Sequence, residues 1–408
     1  MNDQQNPSHF LKVCKPLVAL VLAVSMALGL TGCALDPALL EQLGTQLMEE
    51  EPLQEKPLET LPPVELPDDL PYLPEEPFLG YYGKRLSQED QELYLKILQG
   101  IMNAEPEIRD LAIQSEDQLK NINMSVVRDH GEIFWYRGTA TFSGYQYGKT
   151  MKANLMPEYE YGPEALPGMI RQLMENTEPL IQFLDGKTDY EKVKGVYDYL
   201  IDHTEYDMDY KGKGMCELFS EGRAVCEGYA RAAQYLLWRL DIPSIYVTGI
   251  SANPQGGDMP HAWNMVQIEG DYCWLDVTWG DPYNPDLPPS KSYYYLNTTD
   301  KQMVLTHVPE DPDLPECNTS RWNYYRTENQ YLTVYSKKDL ENMFYLADQE
   351  GETSVEFQVS DYELYEKFQD QLFEKKEIHK ILRQATGRRR DIRYRTYDPL
   401  QVITVEWR

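Results

Sequence analysis

Cys226, His261 and Asp276 stand out among the reactive side chains, because the sequence around each would give it work to do. Cys226 follows Gly222-Arg223-Ala224-Val225 and opens an apolar series, Tyr229, Ala230, Ala233, Leu236, Leu237 and Leu240, at steps of three and four. That spacing predicts a helix carrying Cys226 in its first turn and on its buried face, with Gly222 permitting the turn that leads in. A thiolate at that position is favoured by the N-terminal peptide dipoles, and free amides of the turn can receive an oxyanion. Asp241-Ile242-Pro243 ends the helix, and Ile245 to Ile250 reads as a strand.

His261 begins a second alternating segment that runs to Ile268, where Glu269-Gly270 suits a two-residue turn. Such a turn sets Ile268 opposite Asp271 and Trp263 opposite Asp276. His261 and Asp276 are then diagonal neighbours on one face, about 7 Å apart at the backbone, within reach of a histidine–carboxylate hydrogen bond. The chemistry implied is nucleophilic: Cys226 attacks, His261 moves the proton, and Asp276 fixes the imidazole and stabilises its charged form. Each residue alone is weak evidence, since a cysteine on an apolar helix face is usually inert core. Cys216 and Cys273 serve as internal controls: the first lacks a helix start, and the second points to the face opposite Asp276. His130, beside Asp129 and Gly131, reads as a turn residue, and His203 as a helix-end residue complementing the dipole.

The flanking chain decides where this chemistry operates. Lys12 and Lys15 lead an apolar run from Pro16 to Leu30, which ends in Leu30-Thr31-Gly32-Cys33. That ending resembles the lipobox of bacterial lipoproteins. It implies a signal segment over residues 1–33, a lipid on Cys33 as the mature N-terminus, and a protein anchored at the extracytoplasmic face of the cell membrane. A spanning anchor is the alternative, but the run is shorter than the ~20 residues a bilayer crossing needs. Residues 34–78 are rich in proline and glutamate, which withholds long helices and central strands and predicts a semi-rigid tether reaching on the order of 100 Å.

Ser87 caps an expected helix bearing Leu93, Ile97 and Ile101. Strands are expected at Met124 to Val127, Ile133 to Trp135 and Thr139 to Tyr147, making residues 79–160 a small α+β region without chemistry of its own. Helices over Pro163 to Leu184 and Tyr190 to His203 then lead into the catalytic stretch. After about Tyr324 the pattern reads strand (Tyr331 to Tyr335), helix (Lys337 to Ala347), strand (Ser354 to Val359), helix (Tyr362 to Ala385) and two strands around Tyr397-Asp398-Pro399. That order suggests a ferredoxin-like α+β domain over 324–408.

Net charge is -29, from 67 acidic and 38 basic side chains, so nucleic acid is an unsuitable partner. Arg388-Arg389-Arg390 with Arg393 and Arg395 reads as a solvated strand face. The six cysteines include no CxxC and no Cys/His pair at metal-ligand spacing, so neither a metal site nor a cofactor is called for. At most one disulfide is available among Cys216, Cys273 and Cys317.

Val225-Cys226-Glu227-Gly228-Tyr229-Ala230, His261-Ala262-Trp263-Asn264 and Leu275-Asp276-Val277-Thr278-Trp279-Gly280-Asp281-Pro282 resemble, in order and spacing, the three blocks of bacterial proteins with a transglutaminase-like domain. Tyr293-Tyr294-Tyr295-Leu296-Asn297, with Asp300, Met303 and His307, is similar to the end of such domains. The resemblance covers roughly residues 188–300. It implies an α+β, papain-like core, a nucleophile helix packed on an antiparallel sheet carrying His261 and Asp276, set over 161–323 between small α+β flanks. It also implies an acyl-enzyme on Cys226, resolved by water in peptidases and amidases or by an amine in acyl transferases. The expected partner is a peptide or protein amide, with cell-wall peptide a candidate. Tyr206 is the candidate side-chain donor to the oxyanion. The alternative is a catalytically silent scaffold that keeps the fold to dock peptides.

Overall fold

The structure is a computed structural model that describes residues 73–74, 76–147, 150–209, 214–252, 257–281 and 291–408. The expected signal segment, Cys33 and almost all of the tether lie outside the described residues. Helix α1 (Gln88–Met102) starts where Ser87 accepts the Asp90 amide, and it buries Leu93, Ile97 and Ile101. Strand β1 (Ile108–Ile113), helix α2 (Glu116–Asp129) and the hairpin β2 (Tyr136–Tyr147) and β3 (Thr150–Tyr159) follow, with sheet order β1-β3-β2. The expected strand at Met124 to Val127 is the last part of α2. There Leu119, Ile122 and Val126 bury at helical spacing, and that packing outweighs the strand preference of the Val126-Val127 pair. The segment Ile133 to Trp135 is a turn, closed by the Tyr136 amide on the Ile133 carbonyl. His130 ends α2 fully buried, its Nδ1 2.6 Å from Glu132.

Helices α3 (Leu166–Leu184) and α4 (Asp189–His203) lead through β4 (Glu205–Tyr206), α5 (Met215–Glu221) and β5 (Arg223–Ala224) into α6 (Cys226–Arg239). Against α6 lies the central sheet, built from β6 (Ser244–Ala252), β7 (Asp258–Ile268), β8 (Asp271–Leu275), β9 (Leu296–Thr298) and β10 (His307–Pro309). Its order is β10-β6-β7-β8-β9, and every pair is antiparallel. A single apolar core runs from Tyr82 to Tyr325 and takes in Leu400 and Val402. Residues 79–160 and 161–323, expected to be separate regions, therefore share one interior.

The C-terminal part adds β11 (Tyr331–Leu332), α7 (Lys337–Gln349), β12 (Ser354–Val359), α8 (Tyr362–Gln369), α9 (Glu377–Thr386), β13 (Ile392–Tyr397) and β14 (Val402–Trp407) around a second core. Its sheet order is β11-β12-β14-β13, with β11 and β12 parallel and the last two strands a neighbouring hairpin. That topology is not ferredoxin-like, because the two final strands pair with each other instead of flanking the first. The helix expected over Tyr362 to Ala385 breaks at a wide turn over Asp370–Glu374 and at Lys376, whose φ is 59°. The break lets Leu372 and Ile378 both face the second core. Of the arginine cluster, Arg390 binds Asp348 and Arg395 binds Glu406. The described residues belong to one compact unit. Among them no helix is long and apolar enough to cross a membrane.

Candidate active site

The nucleophile position is set by backbone geometry. Gly222 closes α5 with φ 66°, and a Cβ there would meet the His203 carbonyl at 3.0 Å. After three extended residues, Arg223 to Val225, the chain enters α6 at Cys226, and no side chain caps that end. The first amides of α6 are thus among those a helix leaves without internal partners. Cys226 is half-buried against Ala230, Tyr246 and Ala262. The helix is pinned to the sheet by the Asn264 amide, which donates to the Ala230 carbonyl at 3.0 Å. On its other side Arg231 donates to the Val127 carbonyl, and Gln234 to that of Arg128, so α2 braces the helix.

The β7–β8 turn holds Glu269 at φ 48° and Gly270 at φ 91°, the two positive values of a type I′ turn. Ile268 accordingly pairs with Asp271 and Asn264 with Leu275. One residue beyond that ladder, Asp276 turns its carboxylate back to His261, whose Nε2 stands 2.7 Å from Oδ2. Cys226 is the other group, beside Asp276, that favours the charged imidazole. Cys226, His261 and Asp276 are thus brought together in one constellation. The His261 ring is stacked on Trp263, with centroids 5.6 Å apart.

Asp276 is fully buried and satisfied by more than one histidine. Its Oδ1 accepts the Trp279 amide at 3.1 Å, and its Oδ2 also faces His307 Nε2 at 3.0 Å. Burial would raise this carboxyl, but charged His261 and the donors of both histidines hold it well below the usual range. Burial pulls His261 downward, yet Asp276 and Cys226 outweigh it and lift the imidazole to about 10. His307 moves the other way: burial keeps it below the ordinary histidine value, against the pull of Asp276 and helped by the neighbouring charge on His261. Among the described residues, His261, Asp276 and His307 form the one cluster with enough ligand atoms for a metal. Both Nε2 atoms converge on a single oxygen at 2.7 and 3.0 Å. The carboxylate thus takes two hydrogen bonds on one oxygen.

The remaining sequence-derived candidates fall into place around this centre. Tyr206, on β4, is paired with Ala224 of β5 and stacked with Tyr229, one strand from the entry into α6. Cys216 does lie at a helix start, the second residue of α5, contrary to its expected role as a control without one. Its thiol is nevertheless pushed up by burial, as is that of Cys273, to about 12, and that of Cys317. Cys216, Cys226, Cys273 and Cys317 are all free thiols. His307 is the residue that sequence reasoning quoted without assigning a role. Its signal is topological, because β10 joins the sheet beside β6 and sets His307 across from Ser251.

Residues 182–278 match the sequence model of the transglutaminase-like superfamily. The chain carries a transglutaminase-like domain. The domain's curated relatives include human and mouse kyphoscoliosis peptidase, each 26% identical over 31% of this chain. The matched region spans about a fifth of those relatives' length, 22% in both cases. Among solved structures, the transglutaminase-like domain is similar to a TGase at 17% identity, covering 46% of this chain and 54% of that one with a TM-score of 0.26. The periplasmic domain of TgpA from Pseudomonas aeruginosa is similar at 18% identity, covering 32% of this chain and 54% of that chain with a TM-score of 0.20.

Proposed function

We propose that this chain is an enzyme of the extracytoplasmic face, lipid-anchored through Cys33, that performs thiol acyl chemistry on peptide or protein amides. One observation carries the reading: a single buried imidazole is hydrogen-bonded to Asp276 through Nε2 at 2.7 Å, and the helix-start thiol Cys226 stands close enough to favour its charged form. Cys226 Sγ attacks the amide carbonyl carbon, and the developing oxyanion is received by amides at the start of α6, with the Tyr206 hydroxyl the candidate second donor. His261 passes its proton to the leaving amine nitrogen, the C–N bond breaks, and a thioester remains on Cys226. Water or a second amine then attacks that thioester while His261 takes its proton, and the thiolate is released. Asp276 stays ionised throughout, orienting the ring and balancing its charge.

The curated relatives are named peptidases, which favours water as the acceptor. The apolar run ending in Leu30-Thr31-Gly32-Cys33 supports the anchor, and an anchored site on a proline-rich tether is placed to meet cell-wall peptides. The test gives the full chain peptide and cell-wall peptide substrates, and in parallel a glutamine-bearing protein with a fluorescent amine, each beside Cys226→Ala. The expected result is one activity present in the wild type and absent from the variant. If neither activity is found, and Cys226 alkylates no faster than Cys216 or Cys273 from about pH 5 to 9, the peptide-docking scaffold replaces the enzyme.

A further inference from the structure

Asp276 is approached from behind by a chain of side chains that the reaction above does not use. His307 donates Nε2–H to Asp276 Oδ2 at 3.0 Å, and its Nδ1 stands 2.9 Å from the Thr306 hydroxyl. Thr306 is hydrogen-bonded in turn to the Tyr295 hydroxyl, which lies 3.0 Å from the hydroxyl of Tyr397. Tyr397 ends β13 of the C-terminal part, and its ring is stacked on Tyr294 at 4.3 Å. His307, Asp276 and Tyr295 are all buried, and Trp263, Trp279 and Tyr295 wall the His307 ring.

The donors in this chain can all point one way. Tyr397 donates to Tyr295, Tyr295 to Thr306, and Thr306 to a bare Nδ1 of His307, which leaves the His307 proton on Nε2 and aimed at Asp276. From the far side His261 donates to the same carboxylate oxygen. One buried carboxylate balances one cation, so with His261 charged a second imidazolium would be unpaired. The charged and titratable groups facing His307 are Asp276, His261 and Tyr295, and only Asp276 favours a proton on both of its nitrogens.

We propose that His307 is a positioning residue for the reactive pair: a neutral second donor that fixes the Asp276 carboxylate, with its tautomer set by a hydrogen-bond chain ending at Tyr397 of the C-terminal part. The C-terminal part thereby acts on the site without touching substrate. The inference deepens the thiol-enzyme reading and rests on it for its kinetic consequence, though not for the tautomer itself.

The experiment uses the full chain with His307→Leu, His307→Gln and Tyr397→Phe. Two readouts are taken: the pH profile of Cys226 alkylation, and the 15N shifts of the His307 nitrogens. The shifts are expected to show Nε2 protonated and Nδ1 bare around neutral pH. His307→Leu, losing a hydrogen bond to a charged group, should slow Cys226 alkylation about tenfold at neutral pH. His307→Gln, which keeps an N–H of similar reach, should recover to within about threefold. Tyr397→Phe should slow it about twofold and mix the His307 tautomers. A purely structural role predicts instead that Gln fails like Leu and that buried Cys273 and Cys317 become reactive in both, and that result overturns the proposal. So does a doubly protonated His307 at neutral pH, or a Tyr397→Phe chain with both rate and tautomer unchanged. If wild-type Cys226 alkylates like an ordinary thiol, the enzyme reading fails on its own, and the 15N shifts still decide the state of His307.

Discussion

Replacing Asp276 with asparagine is the sharpest test of the charge arrangement, because the change is nearly isosteric and the geometry forbids a good fit. The carboxylate takes three donors: His261 and His307 on Oδ2, and the Trp279 amide on Oδ1. An asparagine offers one carbonyl oxygen, so its NH2 must face either two imidazole N–H groups or the Trp279 amide. The charge lost with it is large. The rise of His261 from 6.5 to about 10 amounts to ~5 kcal/mol in favour of the imidazolium, with burial opposing. With the carboxylate gone, only Cys226 still opposes burial, and a balance of the two returns His261 to 6.5. At pH 8 the charged fraction then falls from about 99% to about 3%, roughly 30-fold. Cys226 alkylation at that pH should fall by the same order, followed by mass spectrometry of the Cys226 peptide. Cys273 and Cys317, both buried, report in the same sample whether the variant is folded. The linkage has a definite sign: a raised histidine stabilises fully below 6.5, and that contribution is lost as pH climbs through about 10. Wild-type stability should therefore decline across that window and the variant's should not. A folded Asp276→Asn chain whose Cys226 reacts within about threefold of wild type at pH 8 would refute the account.

Other expectations follow from the packing. Gly249 pairs with His261 across the β6–β7 ladder, and a Cβ on it would meet the Val308 carbonyl at 2.2 Å and the Trp263 ring at 2.8 Å. Gly249→Ala should cost ~1–3 kcal/mol in denaturant unfolding and slow Cys226 alkylation; an unchanged midpoint would show that the edge strand simply yields. Glu356 is a buried carboxylate of β12 that accepts from Ser292 Oγ at 3.0 Å, the Tyr293 amide at 2.8 Å, the Tyr325 hydroxyl at 2.6 Å and Thr404 Oγ1 at 3.0 Å. Glu356→Ala orphans all four donors and should lower stability by ~3 kcal/mol or more while opening the chain near residue 330 to protease. Resistance equal to wild type would mean that the C-terminal part is held by its apolar contacts alone.

The parts of the site that were legible in the sequence are those fixed by local rules. A helix period placed Cys226, and a two-residue turn with glycine second set the register that brings Asp276 to His261. Residues 124–127 misled because Val126 and Val127 favour strands by their own shape, whereas partners elsewhere decide which face they bury. The start of α5 was missed for want of a signal: its N-cap is Gly214, which offers no side-chain acceptor. His307 carried no local mark of its task. It reaches Asp276 only because the short β10 adds to the free edge of β6, a pairing between segments more than fifty residues apart. The topology of the C-terminal part was misjudged for a similar reason, since one order of strands and helices is compatible with several sheets.

The four donors on Glu356 also order events in time. Cys226, His261 and Asp276 leave the ribosome within one short stretch, joined by a turn that can close at once. Ser292 and Tyr293, which lie just beyond it, wait for a carboxylate 64 and 63 residues downstream, and that carboxylate waits for Thr404 on β14. A chain emerging from its N-terminus thus passes through a stage in which the thiol stretch exists but its surroundings are unfinished. Seating Thr404 completes that carboxylate's partners, so the segment at Ser292 and Tyr293 gains its full set of contacts only after the hairpin of β13 and β14 has formed.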